Sequence, residues 1–228
     1  MRQERQNSVR GLSLVFTLPL IALGCAPSIT SITPSTADRL QPIKIKGDNL
    51  LLATVSIDGG NLGTWFVAGE NPDTTKGSVI PAKQTDGTTL TMAAASVKAC
   101  NTWGCDTEIV NITAGPASGS TPTIDIAPPF NTFECNFFGT PAECITVTGS
   151  DLYPGESSPL RPHAGPNARA IPQGSGALTN ALGSEMLAEN AVLVFFPDTM
   201  PSGSYKVEIT NIARFGGPGG ITGSNFTR

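Results

Sequence analysis

Ile43-Lys44-Ile45-Lys46-Gly47-Asp48-Asn49-Leu50 recurs one hundred and two residues later as Ile145-Thr146-Val147-Thr148-Gly149-Ser150-Asp151-Leu152. Each copy alternates β-branched with polar side chains, the period of a half-buried strand, then breaks at glycine. A repeated strand in a chain of 228 residues implies two similar β-units in tandem. The chain also holds 25 Gly and 19 Pro, which disfavours long helices and favours a turn-rich all-β fold.

Working outward, Pro27-Ser28-Ile29-Thr30-Ser31-Ile32-Thr33-Pro34 reads as an edge strand bracketed by prolines. Strands are expected at Ala53–Asp58, Leu62–Ala68, Ser78–Lys83, Thr88–Ala94, Ala95–Cys100 and Cys105–Thr113. Ala114 to Thr121 has the composition of a linker. Pro122-Thr123-Ile124-Asp125-Ile126-Ala127-Pro128 then restarts the opening pattern. Ala191–Phe196 and Ser204–Asn211 follow as strands, with a last one at Asn225–Arg228. The expected division is 25–114, a linker at 115–121, and 122–228. The second unit carries a Pro/Gly-rich insert at 154–190, within which Ser184–Glu189 is compatible with a helical turn or two.

Residues 1–24 read as an export signal. Arg2, Arg5 and Arg10 precede an apolar run from Gly11 to Gly24 that is too short to span a bilayer. The run ends in Ile21-Ala22-Leu23-Gly24-Cys25. This resembles the bacterial lipobox, although the usual Leu stands one place late. The resemblance implies lipidation of Cys25. With Ala26 and not Asp after the cysteine, it implies an address at the outer membrane, facing either the periplasm or the exterior. The formal charge is −4, and residues 1–24 carry three Arg and one Glu, so the remainder stands at −6. A chain of that sign has no electrostatic route to nucleic acid.

Beyond Cys25, four cysteines remain: Cys100, Cys105, Cys135 and Cys144. An even number in an exported chain implies disulfides, with three connectivities open. Local pairing is expected. Cys100 and Cys105 would face each other across a hairpin, and Cys135 and Cys144 would close a loop. Each would be worth about 2–3 kcal/mol.

Together these stretches resemble the IPT/TIG family of immunoglobulin-like domains. The first unit carries the resemblance at Pro27–Pro34, Ile43–Leu50, Val97–Asn101 with Gly104, and Ile109–Thr113. The second carries it at Pro122–Pro128, Ile145–Leu152, Tyr205–Asn211 with Gly216, and Phe226. Before the repeated strand the family often has Gly-Gly, where this chain has Arg39-Leu40-Gln41-Pro42 and the Cys135–Cys144 loop. The resemblance implies two β-sandwiches serving as interaction or spacer modules, with no catalytic residues to carry over.

The chemistry-bearing residues agree with that expectation. His163 is the one histidine, and its flanks (Arg161-Pro162 and Ala164-Gly165-Pro166) read as a solvated loop. No phosphate-binding loop, dinucleotide motif or metal-ligand cluster occurs, and no cofactor is implied. Asp48-Asn49 and Ser150-Asp151 read as turn residues, not calcium ligands. Binding candidates are the aromatics of inter-strand loops. Trp103 stands on the Cys100–Cys105 hairpin, Phe137 and Phe138 in the Cys135–Cys144 loop, and Phe215 in the Gly-rich stretch from Arg214 to Gly220. Each either packs on its neighbours or meets a ligand. Trp65, Phe66, Phe195 and Phe196 are expected in cores. The functional expectation is a lipid-anchored, non-enzymatic component that binds another surface or appendage protein, the alternative being glycan binding through the loop aromatics.

Overall fold

The computed structural model describes residues 25–119 and 121–228. The expected export signal at 1–24 and Ser120 of the expected linker lie outside the described residues. The described residues form nineteen strands and no helix. The first nine are β1 (Ser28–Thr33), β2 (Thr36–Asp38), β3 (Pro42–Asp48), β4 (Thr54–Ile57), β5 (Gly60–Leu62), β6 (Trp65–Phe66), β7 (Thr75–Val79), β8 (Ala94–Asn101) and β9 (Gly104–Thr113). They make two sheets, ordered β1-β3-β7-β6 and β2-β9-β8-β4-β5. The remainder are β10 (Thr123–Ile126), β11 (Phe133–Phe137), β12 (Thr140–Ser150), β13 (Asn167–Pro172), β14 (Thr179–Asn180), β15 (Gly183–Ala188), β16 (Ala191–Pro197), β17 (Ser204–Thr210), β18 (Gly220–Ile221) and β19 (Phe226–Thr227). They make a second pair, ordered β10-β12-β16-β15 with β11 also on β12, and β14-β13-β17-β18 with β19 also on β17. The fold is an all-β sandwich architecture.

The repeated strand explains why both pairs of sheets close in the same way. Ile43 and Ile45 of β3, and Ile145 and Val147 of β12, point inward and are buried. Gly47 pairs with Ile29 of β1, and Gly149 with Ile124 of β10. A Cβ at either glycine would overlap the carbonyl oxygen of Ser28 or Thr123. The glycine is therefore what lets the first strand come within pairing distance. Two residues on, Asn49 (φ 57°) and Asp151 (φ 58°) take the left-handed conformation. Short Asx side chains tolerate that backbone, so these positions serve the turn, as read. Leu50 and Leu152 then drop into the core.

Both disulfides pair locally. Cys100–Cys105 is a directly opposed pair across the β8–β9 hairpin, and Cys135–Cys144 joins β11 to β12.

The departures lie outside the repeated strands. Of the strand expected at Thr88–Ala94 only Ala94 pairs in a sheet, as the first residue of β8, while Thr89 makes an isolated bridge to Lys83. Thr36–Asp38, not among the expected strands, pairs in parallel with β9. The Cys135–Cys144 loop is a hairpin, with Phe137 opposite Thr140. The largest correction concerns 154–190, which holds three strands. Ser184–Glu189 is no helical turn, because Gly183–Ala188 pairs with β16 along the sheet edge.

That insert also joins the two halves. Sheet β1-β3-β7-β6 ends at β6, and sheet β10-β12-β16-β15 ends at β15. The ribbon Arg161–Gly165 lies between these edges. The Thr64 amide donates to the Pro162 carbonyl at 2.9 Å. On the other side the Met186 and Gly165 amides donate to His163 and Ser184 at 2.8 and 2.9 Å. Gly63 permits the approach, since a Cβ there would overlap the Ala164 carbonyl oxygen. Arg214 makes a second tie. Its Nη2 donates to Ile57 O at 2.9 Å and its Nε to Lys83 O at 3.1 Å, while its own carbonyl accepts from the Ala82 and Lys83 amides. One hydrophobic cluster accordingly runs through both halves, from Ile29 to Phe226.

His163 is therefore not the solvated loop histidine that its flanks suggest. It is largely buried, 4.0 Å from the Phe66 ring centroid, with Nδ1 3.1 Å from Thr64 Oγ1 and 3.2 Å from Thr64 O. Burial first, and then the charge of Lys76, lower its pKa from 6.5 to about 4. A histidine held neutral in the fold gives stability that is complete above pH 6.5 and is lost as pH falls toward 4. The full window is worth about 3 kcal/mol. Denaturant unfolding at pH 7 and pH 4.5 should show most of that loss in the wild type, and His163→Gln should flatten it. An unchanged pH slope in the variant would contradict this assignment.

A candidate binding cleft beside the pinned hairpin

The Cys135–Cys144 hairpin carries its own small core on the face of the sheet away from the main one. Cys144, Ala142 and Phe195 are buried there, with Cys135, Phe137 and Leu193 packed against them. Phe137 lies 4.8 Å from Phe195, centroid to centroid, and crosses toward β15. Gly183 makes room for it, because a Cβ there would overlap the Phe137 ring. The Arg161 guanidinium covers the same ring at 5.2 Å and donates from Nη2 to the Ser184 carbonyl at 3.0 Å. Phe137 is thus a structural ring, fixed from three sides.

Phe138 is different. It sits with Gly139 in the two-residue turn between β11 and β12, at φ 52°, followed by Gly139 at φ 85°. Such turns favour Asn, Asp or Gly at their first position, and an aromatic side chain there carries backbone strain of about 1 kcal/mol. The Asn136 side chain accepts from the Gly139 amide and closes the turn. The Phe138 ring meets Phe137 edge-on at 4.8 Å but stays 56% exposed.

Next to this pair, Arg161 and Gly183 form the rim of a cleft of about 470 Å³. Its floor is backbone and small side chains, Gly155, Ala164, Gly165 and Ser184. Its polar lining comes from Glu156, Asn167 and Asn180, all exposed, and Leu182 adds an apolar side. Arg161 Nε is buried and finds no acceptor among the described residues. Burial raises the pKa of neighbouring Glu185, and the Arg161 charge partly offsets this. Exposed amides, a carboxylate and a guanidinium beside aromatic rings supply donors and acceptors around an apolar ledge. No cluster of three or more His, Cys, Asp or Glu suited to a metal ion occurs among the described residues.

The sequence-predicted binding residues therefore separate. Phe137 and Phe138 come together beside the cleft: Phe137 touches its rim residues Arg161 and Gly183, and Phe138 stands on Phe137. Trp103 is 47% exposed but lies elsewhere, on the hairpin tip beside Cys25. Phe215 is corrected: it is fully buried and stacks on Tyr153 at 5.4 Å, so it presents nothing to a partner. Gly119 packs against its carbonyl oxygen. Phe66, assigned to the core, is 41% exposed and covers His163, whereas Trp65, Phe195 and Phe196 are buried. The cleft residues were not singled out from sequence; their one signal was the length of the insert.

No family model and no curated protein matches the chain. Among solved structures it is similar to one with a xylogluco-oligosaccharide, at 11% identity over 89% of this chain and 41% of that one, with a TM-score of 0.29. It is also similar to the mixed-linkage glucan utilization locus protein SGBP-B of Bacteroides ovatus, in complex with a mixed-linkage heptasaccharide. There the identity is 11% over 81% of this chain and 40% of that one, with a TM-score of 0.30. The FN1–FN3 domains of chicken CNTN1 are 12% identical over 90% and 65%, with a TM-score of 0.25. The chain spans about two fifths of the length of the first two. Likeness at this level carries nothing about the cleft.

The two phenylalanines should differ under mutation. Phe138→Asn relieves about 1 kcal/mol of strain and loses an edge contact worth about as much, so unfolding free energy should move by less than about 0.5 kcal/mol. Phe137→Ala should cost about 2–3 kcal/mol, since it empties the small core. A loss above about 2 kcal/mol in Phe138→Asn would make its ring a structural one.

Proposed function

We propose that this chain is a non-enzymatic, lipid-anchored protein of the bacterial outer membrane that binds neutral glycans in the cleft beside Phe137 and Phe138. The observation that carries the reading is Phe138, an exposed aromatic held on a left-handed turn where a smaller polar residue would sit with less strain. Strain at such a position, without burial to offset it, favours a role in binding. A sugar offers a C–H face to an aromatic ring and hydroxyls to planar amide, carboxylate and guanidinium groups; the cleft supplies the polar groups, and the Phe137–Phe138 pair stands beside its rim. The net negative charge of the chain favours a neutral polymer over an acidic one.

The anchor reading is supported by the basic and apolar runs of residues 1–24 and by Cys25, which is exposed and outside both disulfides. Two disulfides suit an oxidising compartment. The paired glycines and left-handed Asx turns of β3 and β12 support assigning both sandwiches to the IPT/TIG type. Against catalysis stands His163, whose ring is occupied by Thr64 and Phe66.

A second reading, a protein-binding assembly component of the cell surface or an appendage, has one observation in its favour. Strand β11 is a sheet edge, and Phe133 on it and Phe130 just before it are both close to half exposed. Unpaired edges with apolar side chains invite another strand.

Affinity electrophoresis of the purified protein through neutral and acidic polysaccharides tests the first reading. Retardation by a neutral polymer is expected, weakened at least about tenfold in Phe138→Asn and in Arg161→Gln, equivalent to about 1.4 kcal/mol. Trp103→Phe should bind as the wild type. No retardation by any polymer, with one protein recovered at near-equal amounts after crosslinking on cells, would replace it with the second.

A further inference from the structure

We infer that the tip of the β8–β9 hairpin is a membrane-contacting surface, with Trp103 and Leu52 seated at the boundary between headgroups and acyl chains. This rests on the proposed anchor at Cys25 and names the protein surface that the anchor would bring down.

The residue that would carry the lipid is fastened to the hairpin. Asn101 Nδ2 donates to the Cys25 carbonyl at 2.9 Å, and Asn49 Nδ2 donates to the Ala26 carbonyl at 3.2 Å. Strand β1 begins at Ser28 and is held in turn by Asp106, whose carboxylate accepts from the Ile29 amide at 2.7 Å. Only Ala26 and Pro27 separate the anchor position from this strand, a span of about 10 Å even when extended. No slack remains to lift the body away from acyl chains at Cys25.

The surface beside that position has the chemistry of a bilayer interface. Trp103 is 47% and Leu52 40% exposed. Thr54 pairs with Cys100, a register that carries Leu52 toward the hairpin tip. The Cys100–Cys105 disulfide closes the hairpin directly beneath, and Asn101 Oδ1 accepts from the Trp103 amide at 2.9 Å, so the indole stands on a fixed base. The second half shows what the equivalent asparagine does without an anchor nearby. Asn211 is buried, donates to the Asp151 carbonyl at 2.8 Å and accepts from the Tyr153 amide at 3.0 Å. In the first half that side chain serves residue 25 instead.

Indole is favoured at the headgroup level because it is apolar with one polar N–H. Asp48, Asp73 and Asp106 surround this end, so the contact is apolar in origin and independent of anionic lipid.

The test uses full-length protein matured in a diderm host, purified from membranes and reconstituted into phosphatidylcholine vesicles with brominated acyl chains. Mass spectrometry of the peptide beginning at residue 25 reads the anchor, and tryptophan quenching reads the tip. Trp65, 5% exposed, is the internal unquenched reference. An acylated Cys25, with the Trp103 component quenched at least about twofold and alike at low and high salt, is expected. That component should be missing in Trp103→Phe. An acylated protein whose Trp103 is not quenched would overturn this inference and leave the anchor standing. An unmodified Cys25 would overturn both.

Discussion

Two open sheet edges and one ribbon determine the form of this molecule. Strands β6 and β15 would each leave a row of unpaired backbone groups, an arrangement that folded proteins cover or charge. Arg161–Gly165 covers both, hydrogen-bonding to the Thr64 amide on one side and to β15 on the other. Its prolines suit the task. Pro162, within it, and Pro166, just after it, present no amide of their own that would need a partner. Because the covering is mutual, the two halves share a seam in which His163 and Arg214 are largely buried and the half-exposed Phe66 ring covers His163. The hydrophobic core then runs through it without interruption.

The same ribbon builds the cleft. Arg161 leaves the seam to cover Phe137, and Gly155, Ala164 and Gly165 form the floor. Geometry that makes the halves one body thus also fixes a polar recess next to an aromatic ledge. The disulfide fastens the hairpin bearing Phe137 and Phe138 to β12, so the ledge stands on a rigid base. At the hairpin tip of the first half, another disulfide does the same for Trp103 beside Cys25. The proposed sites of recognition and attachment thereby fall on separate pinned hairpins.

What was legible in the sequence was what strand physics repeats. The alternation of Ile43–Lys46 and Ile145–Thr148, the glycine after each and the Asx turn following it all specify their local structure unaided. The two disulfides followed from local spacing. The insert was illegible because Ala, Gly, Pro and Ser, interspersed in its strands and frequent in the turns between them, blur an alternating pattern. Ser184 and Met186 do point inward, but the helix-forming residues between and after them mask the period until β16 imposes it. Phe215 was misread because glycines follow it; its burial depends on Tyr153, distant in sequence. His163 was misread for the same kind of reason, since only the β6 edge makes its surroundings dry.

The most direct test of the cleft is a hydrogen–deuterium exchange footprint of the full chain with and without a saturating neutral oligosaccharide. The account predicts slowed exchange at residues 137–139 and 180–184, with residues 101–104 unchanged. Slowed exchange at 101–104 alone, or along β11 without the cleft, would contradict it.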